Sequence, residues 1–363
     1  MNQKNTVIQL FPWMFGRQEN NLVSIGSMSA TLFTFTTGIC GIRIITPIGE
    51  VILLPFQGQQ IWSAKFHGRE LGMSSMVKMP VQSMDFLSNF GGFLVHCGAT
   101  AVGGPSKEDT HPLHGELPNA AYGSADLVTG QDDQGPFIGI GGSYHHVAAF
   151  GQNYLAEPLV KVYQNTSRLR GNMVITNLKK TPMELFYLAH INFKPEDYSR
   201  LVYSAQCTPE HVRVRASIPA HIHPGKGYRE LLESFISHPE LHHELKPGMA
   251  YDPEVVFFID YLTDPEGWAY SMQIHPDGTA DFLQHKPSQL RKATRWISRT
   301  PDQDAIAIAE PGTAEPEGYL AEKAKGNTLI LAPSGKFKCD LEFGLLQEPE
   351  VNPMVKKIQQ IVG

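Results

Sequence analysis

Apolar and polar positions along this chain change places in short bursts, not in helical turns. Thr31-Leu-Phe-Thr-Phe-Thr36, Gly41-Ile-Arg-Ile-Ile45 and Val51-Ile-Leu-Leu54 are rich in β-branched and aromatic residues and are separated by Thr46-Pro47 and Gly49. That texture predicts strands. It continues through Ile61–Phe66 and then Gly91-Gly92-Phe-Leu-Val-His-Cys-Gly98. Further strands are predicted at 137–140, 159–163, 169–175, 183–188, 212–215, 255–259, 268–274, 280–283, 305–308, 328–331 and 336–345. Helical spacing is rare. It is weak at Ser83–Ser88, clearer at Tyr228–Leu245 with an interruption at His238-Pro239, and present in the tail Pro353–Val362. Residues 98–136 read as a loop rich in Gly, Pro, Asp and His, and loops of that length inside a compact domain are usually functional or disordered. Strands without regular helix alternation predict an all-β protein, one large antiparallel β-sandwich with a few short helices. The expected organisation is an N-terminal extension over 1–26, the sandwich over 27–348 and a helical tail over 349–363.

Composition narrows this picture. The 363 residues are 42% hydrophobic and 18% charged, enough apolar matter for a sizeable core, and the 33 glycines and 26 prolines fit a chain with many turns. Net charge is −6 with both signs mixed and no run of five basic residues, which argues against a nucleic-acid partner. No apolar window has the length of a membrane span, and no secretory leader is evident after Met1, so the reading is a cytoplasmic protein, monomer or homodimer, away from membranes. Cys40, Cys97, Cys207 and Cys339 are far apart and read as reduced, buried thiols.

Fifteen histidines are the first hint of chemistry. Thr110–Ala120 holds His111, His114, Glu116 and Asn119 among Gly and Pro, so its backbone can approach a ligand closely; the bland alternative is a surface loop. His190 ends an apolar strand and is followed by Asn192, where an imidazole can face a cleft and titrate near neutrality; a satisfied core histidine is the alternative. Ala305–Ala309 delivers Glu310 just before Pro311-Gly312, where partial desolvation makes a carboxylate a better base; an ordinary strand-edge glutamate competes. His221-Ile-His223 would place two imidazoles on one strand face, as metal ligands need, but no glutamate lies at the spacing such a site wants. The adjacent pairs His145-His146 and His242-His243 diverge in any regular element.

In order, Phe90–Gly98, Leu113–Ala120, Leu188–Phe193, Ile308–Thr313 and Pro333–Phe337 with Leu341–Gly344 resemble the aldose 1-epimerase-related, galactose mutarotase-like proteins, in the branch termed DUF4432. The resemblance implies a large β-sandwich and a cofactor-free isomerase that interconverts the anomers of a free sugar through its open-chain form. It implies Glu310 as base on the C1 hydroxyl, His190 as acid on the ring oxygen, and His114 as the group that orients the sugar. Asn119, Asn192, Gln60 and Trp62 are expected to contact the substrate, with Asp260 or Asp264 as the family's hydroxyl-binding carboxylate. Arg295 and Trp296, beside Arg291 and Lys292, would favour an acidic or phosphorylated sugar, unless they form a solvated face. Two other readings compete: a metal-dependent sugar isomerase at His221 and His223, and a carbohydrate-binding protein without turnover.

Overall fold

The computed structural model describes residues 5–218 and 223–363. Among them, two antiparallel sheets of nine and thirteen strands face each other. The smaller runs Thr6–Leu10, Ser124–Asp132, Gly135–Val147, Asn153–Tyr163, Arg168–Asn177, Lys336–Leu346, Ala280–His285, Ala269–Ile274, Arg200–Tyr203. Strict alternation builds it: along Arg168–Asn177 every second residue is buried, so Leu169, Met173 and Ile175 enter the core while Arg168, Arg170 and Asn172 face outward. Each such apolar side chain contributes about 1.5–3 kcal/mol when fully buried.

Six strands of the larger sheet carry the argument below: β1 (Ile61–Phe66), β2 (Leu94–Ala99), β3 (Met183–Ile191), β4 (Val255–Ile259), β5 (Lys292–Arg299) and β6 (Asp304–Gly312). Across the sheet they lie in the order β4-β5-β6-β3-β2-β1. Leu185, Tyr187, Ala189 and Ile191 of β3 point inward to the main core, and Phe186 and Leu188 point to a second, smaller apolar cluster on the outer face. That cluster also takes Val95 and Cys97 from β2, Trp296 from β5, Ala305 and Ala307 from β6, and Met73, Phe86 and Phe90 from the segment before β2.

Between β3 and β6 the ladder is not continuous. Leu188 pairs with Gly312, and Phe193 bridges Ile306, so four residues of one chain segment span the same gap as five of the other. The surplus residue is in β6: Thr294 of β5 pairs with Glu310, while Trp296 pairs with Ala307. A bulge of this kind re-aims the side chains beyond it.

The first 26 residues, expected as an extension, supply a strand to each sheet: Thr6–Leu10 pairs with Ser124–Asp132, and Asn20–Ile25 with Met28–Thr34. The expected helix at 228–245 is a helix over Tyr228–Ser237 followed by a 3₁₀ turn over Pro239–His243, because Pro239 cannot continue the hydrogen-bond ladder. The tail helix is longer than expected, Glu348–Val362, opened by a Gln347–Glu350 capping box. Ser83–Ser88 holds no α-helix; a 3₁₀ turn occupies Leu87–Asn89.

Candidate active site

Odd positions Ala305 and Ala307 of β6 face outward and even positions Ile306 and Ile308 face inward. Unbroken alternation would send Glu310 into the main core. The extra residue reverses the sense, and Glu310 emerges on the outer face beside His190, which shares its side of β3 with Phe186 and Leu188. His190 Nε2 stands 3.1 Å from Glu310 Oε1. Both are nearly inaccessible, at 4% and 2% exposure. The expectation that His190 faces a cleft is therefore corrected: it touches Glu310 under a cover.

The cover is aromatic. Phe90 lies 5.1 Å from the His190 ring, Trp296 5.5 Å and His114 5.6 Å, each edge-on, and Phe86 packs 4.8 Å from His114. Burial pushes Glu310 well above, and His190 well below, their ordinary values; the nearby Glu254 and His114 push in the same directions, against lesser opposite pulls from Arg215 on Glu310 and Asn192 on His190. Both shifts favour uncharged forms. A neutral carboxyl and a neutral imidazole thus stand within reach of one shared proton, and Glu310 Oε1 has no hydrogen-bond partner among the described residues.

His114 reaches the site from a tight loop. Its own backbone is left-handed at φ 59°, a conformation that costs a non-glycine residue about 1–2 kcal/mol. Gly115 follows at φ 77°, and an added Cβ there would stand 2.4 Å from the Gly98 carbonyl oxygen. The loop is thus clamped to β2, with the Gly98 N–H donating to the His114 carbonyl at 2.9 Å. Desolvation lowers the His114 imidazole to about 4. Its Nδ1 accepts from the Gly103 N–H at 3.4 Å, which leaves Nε2–H as a donor.

The other expected contacts divide. Trp296 is at the site, its Nε1–H donating to Glu254 at 2.7 Å. Arg295 is not: as the next residue on the same strand it points to the opposite face, fully buried against Tyr203 and His242 Nε2, the latter at 2.6 Å. Asp260 lies at the far end of β4, half-exposed and paired with Arg213 at 2.6 Å. Asp264 is held by Lys357 and Tyr270. Gln60 and Asn119 are mutual structural partners: Gln60 Nε2 donates to Pro118 O at 2.8 Å, and Asn119 Nδ2 to Asp85 O at 3.0 Å, which ties the covering segment to the His114 loop. Trp62 packs on Phe35 and Gly91, outside the rings that touch His190. Asn192 is fully buried behind His190, with Nδ2 donating to Gly92 O at 3.0 Å.

Two residues were missed in the sequence. Glu254, just before β4, binds Trp296 and the Arg215 guanidinium, and Arg215 also lies 3.6 Å from Glu317. The available signal was Val212-Arg-Val-Arg215, whose alternation sets both arginines on the outer face. Glu116, in the motif of His114, turns away to receive the Ala99 N–H at 3.1 Å and the hydroxyls of Thr100 and Tyr154. His221 lies outside the described residues, and His223 is exposed in irregular chain. No cluster of three metal-ligating side chains occurs among the described residues.

Residues 45–196 match the family model described as domain of unknown function DUF4432, a span that contains His114 and His190 but not Glu310. Over its full length the chain superposes on a Klebsiella pneumoniae protein described as a “putative aldose 1-epimerase”, with TM-score 0.80, 18% identity and 96% of that chain covered. This chain carries a DUF4432 segment on a galactose mutarotase-like fold. Further mutarotase-like structures match more loosely. A Clostridium acetobutylicum galactose mutarotase-like protein has TM-score 0.54 at 13% identity, over 85% of this chain and 96% of the other. One from Lactobacillus casei has TM-score 0.53 at 14% identity, over 84% of this chain and the whole of the other. At these identities the likeness is one of mutarotase-like architecture. No curated protein sequence matches the chain.

Proposed function

We propose that this protein interconverts the anomers of a free sugar, with Glu310 and His190 as the acid–base pair. The observation that carries the reading is their direct contact at 3.1 Å, made by two strands that meet only through a bulged gap. In a cyclic sugar the C1 hydroxyl and the ring oxygen are bonded to the same carbon. A base on one and an acid on the other must therefore be neighbours, as these two are.

The pair holds one proton in either arrangement, Glu310-H with neutral His190 or Glu310 carboxylate with His190-H. In the second arrangement Glu310 takes the C1 hydroxyl proton while His190 gives its proton to the ring oxygen, and the C1–O5 bond breaks to the aldehyde. Rotation about C1–C2 and reclosure with both transfers reversed give the other anomer and restore the pair. General acid–base assistance is worth roughly 10²–10⁴-fold. His114, offering Nε2–H from the adjoining loop, is suited to hold a ring substituent, and Glu254 with Arg215 is the charged rim nearest the pair. The neighbours' names, an aldose 1-epimerase and mutarotase-like proteins, support this reaction class for this chain.

A second reading is favoured by the cover itself. A protein that binds carbohydrate without turnover has no need to expose the pair, and Phe86 and Phe90 close over it here. Saturation-transfer exchange NMR on a panel of aldoses separates the two. Faster anomer exchange is expected for at least one sugar, falling by about 10²-fold or more in Glu310→Gln and in His190→Asn with the fold intact. Exchange no faster than in buffer across the panel, with binding retained, supports the second reading.

A further inference from the structure

Asn192 stands two residues beyond His190, on the same side of the chain, and is fully buried. Its Nδ2 is committed to the Gly92 carbonyl, an acceptor that no amide oxygen could replace, and this fixes Oδ1 as the atom facing the other way. Oδ1 has no hydrogen-bond partner among the described residues, and neither has Nδ1 of His190, on the ring edge remote from Glu310. Two positions apart on one side of an extended segment, the two side chains are neighbours, and the amide acts on the imidazole to raise its proton affinity against the effect of burial. A buried amide oxygen and a buried ring nitrogen each cost about 1–3 kcal/mol when left unpaired, a cost that pairing them with each other removes.

We infer that Asn192 is a positioning residue, whose Oδ1 accepts the Nδ1 hydrogen of His190 and so makes Nε2 the nitrogen that exchanges a proton with Glu310 and the sugar. The inference deepens the reaction proposed above and rests on it only for its catalytic consequence. With Nδ1–H pinned, the Nε2 lone pair faces the Glu310 hydroxyl. The proton passes from Oε1 to Nε2 without any ring flip, leaving carboxylate and imidazolium, and the imidazolium keeps its Nδ1–H bond to Asn192 throughout. The opposite tautomer would aim an N–H at a protonated carboxyl and leave Nδ1 facing an amide oxygen, two acceptors together.

The test is long-range ¹H–¹⁵N correlation on the full-length protein labelled at histidine, with the His190 signals assigned by difference against His190→Asn. At neutral pH the expected pattern is a protonated Nδ1 and an unprotonated Nε2; a protonated Nε2 overturns the inference. This measurement uses no substrate. A protein silent on every sugar but showing the Nδ1–H form keeps this inference and removes the mutarotase reading; an active protein showing the Nε2–H form does the reverse. Two variants add independent weight. Asn192→Leu should give mixed tautomers and lower kcat by about tenfold or more at little changed KM. Asn192→Asp keeps an oxygen acceptor, so it should restore the single tautomer, and its charge should move the acid limb of the pH–rate profile upward. A merely structural asparagine would leave both the tautomer and that limb where they were.

Discussion

At the scale of single residues, the chemistry is governed by what is missing around Glu310 and His190. Neither meets an opposite fixed charge in hydrogen-bond contact, so burial is the largest influence and favours the neutral form of both. This sets the pH dependence. The proposed reaction needs one proton shared by the pair. On the acid side a second proton must go to His190, whose affinity is lowered below its usual 6.5; on the alkaline side the last must leave Glu310, whose affinity is raised well above its usual 4.5. The expected kcat/KM profile for anomer exchange is therefore flat through pH 6.5, where a solvated imidazole would halve it. An acid limb centred at 6.5 would show that His190 is not desolvated in the free protein. The same reasoning explains which residues were legible. Glu310 and His190 stood out as polar groups ending apolar strands. Arg295 was misplaced because its basic neighbours were read as one cluster, although adjacent residues on a strand diverge and only Trp296 could share the outer face.

At the scale of elements, strands were readable because their signals are local: Arg168–Asn177 announces itself by alternation, and Met183–Ile191 by an apolar run buried on both faces. The bulge was not. Ala305-Ile-Ala-Ile-Ala309 reads as regular alternation, and nothing in it marks where one residue is left unpaired. Register is settled by β5 and β3 on either side, which are distant in sequence. The cover over the pair was equally hidden, since Ser83–Ser88 and the His114 loop are irregular and are fixed by side-chain amides of Gln60, Asn89 and Asn119. The His114 loop yields a prediction of its own. Gly115→Ala introduces a Cβ 2.4 Å from Gly98 O and 2.6 Å from Ala101 O at a left-handed position. It should cost about 1–3 kcal/mol by backbone strain and lower the apparent sugar affinity before it lowers kcat, read by urea unfolding and by the KM for exchange. Unchanged stability would mean that the loop is not clamped to β2.

At the scale of the molecule, the sandwich stores several imidazoles in its interior. His96 is held at about 4 and His285 at about 3, both by desolvation, and His190 and His242 are also lowered. All four are nearly or fully buried. The sign follows directly: below an unfolded value near 6.5 the unfolded chain takes up protons that the folded chain refuses, so stability is complete above pH 6.5 and is lost as pH falls toward 4. Each fully desolvated histidine contributes on the order of 3 kcal/mol to that loss. The urea midpoint should drop steeply between pH 6.5 and 4. A midpoint constant over that window would mean that these rings are hydrated in the folded state.

The surplus residue in β6 also lets evenness of pairing be varied apart from the facing of the carboxylate. Shortening Ala307–Ala309 by one residue would let β6 zip evenly against both flanking strands, giving a tighter, more heat-resistant barrier between the two halves of the sheet. Since the residue removed is the unpaired one, Glu310 would keep its place opposite Thr294 and its outward sense, and the protein should gain melting temperature with the carboxylate still on the side of His190. A shortened chain that melts lower would show that the flanking strands do not close evenly once the surplus residue is gone, and one whose carboxylate no longer contacts His190 would show that alternation does not set where it points.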